Sequence, residues 1–76
     1  MKASDLQDRI IARLLRDHGG TKQRWRMVIG RVKLYDPATH PHCNWALDPQ
    51  GSAQENAVVE GLMDDLRLRL RIVTPG

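Results

Sequence analysis

No phenylalanine occurs anywhere in this chain, and its only aromatic residues are Trp25, Tyr35 and Trp45. A core must therefore be assembled from Leu, Ile, Val and Met around two tryptophans, each bringing a large apolar surface and one N–H that needs a partner. The 76 residues allow one domain, and a domain this short buries only about 60% of the surface its unfolded chain exposes. The expectation is a single small globular domain over residues 1–76 that works through its surface. Too little wall is left to exclude water from a reaction, so no enzymatic activity is expected. Composition agrees with a globular chain: 41% hydrophobic and 28% charged residues is an ordinary mixture rather than a disordered one.

The first segment reads as a helix. Leu6, Ile10, Ile11, Leu14 and Leu15 recur at helical spacing and form one apolar stripe. Ser4 with Gln7 has the pattern of a capping box. Asp5 and Asp8 near the start, with Arg13 and Arg16 near the end, suit the helix dipole. Gly19-Gly20 supplies a stop, so a helix is expected from about Asp5 to His18. The next stretch, Thr21 to Tyr35, fits two descriptions. As a helix capped by Thr21 it puts Trp25, Val28 and Ile29 on one face and stops at Gly30. As a strand it alternates up to Gly30, where a bulge would shift the phase. The helix reading, Lys22 to Ile29 followed by a strand from Arg31 to Tyr35, is preferred.

Asp36-Pro37-Ala38-Thr39-His40-Pro41 resists regular structure. Cys43 to Leu47 reads as a short strand closed by Asp48-Pro49-Gln50-Gly51, which makes a hairpin with the preceding strand. Ser52 and Glu55 form a second capping box. Beyond them Val59, Met63, Leu66 and Leu70 share one helical face, although Leu66 to Ile72 also alternates as a strand would. A helix to about Leu70 with a short extended tail is expected. The fold class is α+β, in the order α-α-β-β-α with two helices, a β-hairpin and a C-terminal helix; the alternative is α-β-β-α.

Charge is segregated along the chain. Residues 1–35 carry nine Lys or Arg against three Asp, a net +6; residues 36–65 carry six acids and no Lys or Arg, a net −6. Arg67, Arg69 and Arg71 restore +3. Within the basic part, Lys22, Arg24, Arg26, Arg31 and Lys33 follow one another without an intervening acid and are interleaved with Trp25 and Tyr35. Such a run can neutralise phosphates and release counterions, and arginine adds bidentate contact to phosphate or guanine. A helix from Lys22 after a Gly-Gly-Thr turn, then a hairpin, also has the outline of a helix-turn-helix with a wing. These five residues are the candidate nucleic-acid-binding set. The acidic block Glu55, Glu60, Asp64 and Asp65 supports a second expectation: recognition of another protein, or self-association through opposite charged faces.

His40, His42 and Cys43 are the other chemically suggestive group. A His-x-His pair on extended backbone puts both rings on one side, but Cys43 would point the other way. A closed zinc site needs about four ligands, and the chain offers only His18, His40, His42 and Cys43. No metal site and no cofactor is expected. Cys43 next to His42 is poorly placed for an activated thiolate, and packing inward with Trp45 is the simpler role. No apolar run approaches the length of a membrane span, and no apolar signal segment opens the chain. With one cysteine there is no internal disulfide. A cytoplasmic protein without a membrane partner is the expectation.

Overall fold

A computed structural model gives the structure of the chain and describes residues 1–75. Its elements are α1 (Ala3–His18), α2 (Lys22–Ile29), β1 (Lys33–Leu34), β2 (Trp45–Ala46) and α3 (Ala53–Arg69). The class is α+β in the helix-helix-hairpin-helix order. The apolar stripe of α1 is buried as its spacing requires: Leu6, Ile10, Ile11 and Leu14 lie in the core with Trp25, Val28 and Ile29 of α2 and Val59, Met63 and Leu66 of α3. Among the described residues, no helix is long and apolar enough to cross a membrane.

The start of α1 departs from the expected capping box. The helix begins two residues before Asp5, its N-cap is Lys2, and no side chain caps it. The reason lies at the far end of the chain. The amide of Ala3 donates to the carbonyl of Thr74 at 2.8 Å and the amide of Thr74 donates to the carbonyl of Met1 at 2.9 Å, a parallel bridge between Lys2 and Thr74. A backbone partner thus does what Ser4 would have done, and Gln7 is released to donate instead to the Gly30 carbonyl at 3.0 Å.

The α1–α2 corner follows its residues closely. Gly19 and Gly20 have φ of +73° and +88°, a region that glycine enters without steric cost. A side chain on Gly20 would also lie 3.2 Å from Nε1 of Trp25. That indole N–H donates to the Gly19 carbonyl at 2.7 Å, so the turn and the first tryptophan hold each other. Thr21 then caps α2 by accepting the Arg24 amide at 3.1 Å.

The hairpin is shorter than its two expected strands. Lys33 pairs with Ala46 and Leu34 with Trp45 in antiparallel register, and the Tyr35 amide adds one bond to the Asn44 carbonyl at 2.7 Å. Beyond that point the backbone turns on Asp36, whose carbonyl accepts the amides of Thr39 and His40. Ser52 and Glu55 make the expected capping box at the start of α3. After α3 the tail is extended: Val73 is buried, and the chain passes between Asn44 on one side and the N-terminus on the other. Trp45 donates its indole N–H to the Leu70 carbonyl at 2.5 Å, so both tryptophans bury their rings without orphaning a donor.

Candidate nucleic-acid interface

Of the five candidate residues, all are exposed, but the fold does not gather them into one surface. Arg24 turns toward α3 and grips Glu55 with two bonds, Nε to Oε2 at 3.0 Å and Nη2 to Oε1 at 2.7 Å. The Glu55 carboxyl is held down to about 2 by that guanidinium first and by the Ser52 amide second, and the Arg24 guanidinium is raised in turn. Lys33 lies 3.6 Å from Asp48 across the hairpin. These two cations already have counter-charges.

Lys22, Arg26 and Arg31 are in no ion pair among the described residues. Lys22 and Arg26 stand one turn apart on α2 and therefore share a stripe. Arg26 and Arg31 line a shallow depression of about 450 Å³ with Ser4, Gln7 and Gly30, floored by Val32 and Leu34. None of the residues lining it is acidic. Gly30 is the link: it ends α2 at φ +62° and turns the chain so that Arg31 comes back beside Arg26.

A second basic cluster was not apparent from the run of charges. Arg9, Arg13 and Arg16 of α1 and Arg69 of α3 surround a groove of about 370 Å³ with Leu66 and Leu70. The signal was present as the helical spacing of 9, 13 and 16, but reading Arg13 and Arg16 only against the helix dipole hides it. Three of the four are engaged: Asp17 meets Arg13 at 2.6 Å and Arg16 at 3.4 Å, and Asp65 lies 3.8 Å from Arg69. The bond from Arg13 lowers the Asp17 carboxyl below its ordinary range, which keeps that counter-charge in place.

The His-Cys segment forms no ligand set. Among the described residues, no three of His, Cys, Asp and Glu are grouped where they could hold a metal ion. The His40 ring stacks on Tyr35 with centroids 4.6 Å apart, and its Nδ1 meets the Thr39 hydroxyl at 2.9 Å. Cys43 is half-buried, with its sulfur 3.4 Å from the Trp45 carbonyl. No family model matches the chain, and no curated protein or solved structure does so.

Proposed function

We propose that this protein binds nucleic acid at the corner where α2 meets β1, holding phosphates with Lys22, Arg26 and Arg31. The observation that carries this reading is the pairing of Arg26 and Arg31 around one depression that no acidic residue lines. An exposed guanidinium without a counter-charge keeps its full attraction for phosphate, and arginine offers two parallel donors to it. Gln23 and Met27 extend the same side of α2 by one stripe, Met27 being 65% exposed; they supply a polar and an apolar contact for base or sugar. Arg24 and Lys33 are tied to Glu55 and Asp48 and stand outside the proposed contact.

The test is fluorescence anisotropy of labelled duplex DNA, single-stranded DNA and RNA at two salt concentrations. Submicromolar binding that weakens steeply with salt is expected for at least one of them. A double Arg26→Ala/Arg31→Ala variant should bind more weakly and with a flatter salt dependence. Absence of binding to all three at low salt rules the reading out. The other expectation, recognition of a protein, draws support from a different surface: the outward side of α3.

A further inference from the structure

The outward side of α3 is left largely open: Ala57 and Gly61 border a shallow depression with Arg13, Asp17 and His18 of α1, and the rest of that side is exposed. Val59, Met63 and Leu66 face the core, while Ala57, Glu60, Gly61, Asp64, Arg67 and Leu68 are all exposed. Their spacings of three and four residues place them in one stripe. Leu68 is 73% exposed, more than any other large apolar residue among those described. Gly61 stands inside the 17-residue helix, where glycine is a poorer helix former than alanine. A Cβ there would meet nothing within 4 Å, so no contact within the chain calls for glycine. The charges are ordered, Glu60 and Asp64 first and Arg67 after them, and none of the three is in an ion pair among the described residues.

We propose that this stripe is the contact surface for a second copy of the chain, with two α3 helices packed antiparallel about a two-fold axis. Charge order decides the direction. Parallel helices would set Glu60 against Glu60 and Arg67 against Arg67. Antiparallel helices with Leu68 of one copy over Gly61 of the other do the opposite. One step back from Leu68 is one step on from Gly61, so each Arg67 faces position 62 and falls between Glu60 and Asp64 of the other copy. Symmetry makes every such contact twice. The bare backbone at Gly61 leaves a recess for Leu68 and lets the axes approach toward the close end of the 8–10 Å range of packed helices.

The patch is one helix wide, and the two Asp64 carboxylates lie near the axis, where they repel. Such a contact belongs with the small interfaces that hold transient complexes, so the dimer forms reversibly in the high-micromolar range or above. This goes beyond the nucleic-acid reading and does not depend on it.

Sedimentation equilibrium of the full chain without nucleic acid, from micromolar to low millimolar concentration, is the experiment. A reversible monomer–dimer equilibrium is expected. Leu68→Lys should be monomeric throughout and keep its thermal midpoint, because Leu68 is largely solvated. Arg67→Glu alone, and Glu60→Arg/Asp64→Arg alone, should each lose roughly tenfold in dimer affinity from like-charge contacts. Mixed together, those two variants should form a heterodimer tighter than the parent pair, since every facing charge is then opposite. A parent chain that stays monomeric at low millimolar concentration overturns the proposal. A dimer indifferent to Leu68→Lys and to both charge reversals overturns it equally, by placing the contact elsewhere.

Discussion

The carboxamide of Asn44 pairs with both polar groups of Val73, its Nδ2 donating to the Val73 carbonyl at 2.7 Å and its Oδ1 accepting the Val73 amide at 2.8 Å. Asn44 is the one buried polar side chain among the described residues, and the residue it holds lies 29 positions away. Replacing it by Ala leaves two backbone groups in the interior without partners, at about 1–3 kcal/mol each. Asn44→Ala should therefore lower unfolding free energy by roughly 2–6 kcal/mol, read from urea titrations. The Val73 amide should lose its protection from hydrogen exchange first.

The two tryptophans carry the core that the missing phenylalanines would otherwise share. Trp25 is 6% and Trp45 2% exposed, and either Trp→Ala change should cost roughly 3–5 kcal/mol. Small domains have about 5 kcal/mol to lose, so both variants should lose cooperative thermal unfolding. Trp45→Phe keeps most of the buried ring but strands the Leu70 carbonyl, and roughly 1–3 kcal/mol is the expected loss.

Acid should act through Glu55. Its carboxyl ionises near 2 in the folded chain against an ordinary value of 4.5. The depressed value means that ionised Glu55 favours folding above pH 4.5, and that this contribution fades as pH falls from 4.5 toward 2. The thermal midpoint of the parent should fall across that window. Glu55→Gln, with nothing to titrate there, should show a shallower fall, and the two pH profiles should be parallel above pH 5.

Arg24 and Arg26 are two residues apart in sequence and opposite in expected effect. On duplex DNA each phosphate contact adds about 0.9 to the slope of log affinity against log salt. Arg26→Ala should reduce the slope by about that amount. Arg24→Ala should leave it near the parent's and instead reduce the acid-sensitive part of stability that Glu55 confers, the Ser52 amide keeping the remainder. A slope that responds equally to both would mean that binding uses net charge rather than the Arg26–Arg31 depression.

Two glycines separate close packing from open space. A Cβ on Gly51 would lie 2.9 and 3.0 Å from the methyls of Val28 and 2.8 Å from Oε1 of Glu55. Gly51→Ala should therefore destabilise by roughly 1–3 kcal/mol, as overpacking does. Gly61→Ala meets nothing and should raise the thermal midpoint, by about 0.4–1 kcal/mol of stability. Denaturant titrations of both variants at low protein concentration measure these effects on the monomer.

Local chemistry made most of this fold legible. Gly19-Gly20, Thr21 and the Ser52–Glu55 box act on neighbours in sequence, so their elements could be placed from residues alone. The cap at Ser4 failed because the true partner, Thr74, is remote, and nothing in the sequence near Ser4 reports it. Asn44 was equally opaque: inside the expected strand from Cys43 to Leu47 its side chain reads as a partner for nearby loop backbone, and nothing near it in sequence reports Val73, 29 positions away. For the candidate site, the run of cations was legible but its counter-charges were not. Glu55 and Asp48 reach Arg24 and Lys33 only once α3 and the hairpin are folded.

The tail that Asn44, Trp45 and the first residues of α1 all hold has a consequence for how the chain comes into being. A ribosome delivers residues 1–69 before residues 70–74, so every helix and the hairpin can exist while Val73 is still inside the exit tunnel, about 30 Å or more of extended chain away from release for each ten residues enclosed. Until then the Asn44 carboxamide and the amide of Ala3 lack the partners that Val73 and Thr74 supply. Completion should come late and abruptly, with arrest peptides placed beyond Gly76 reporting a pulling force only after the tail has emerged.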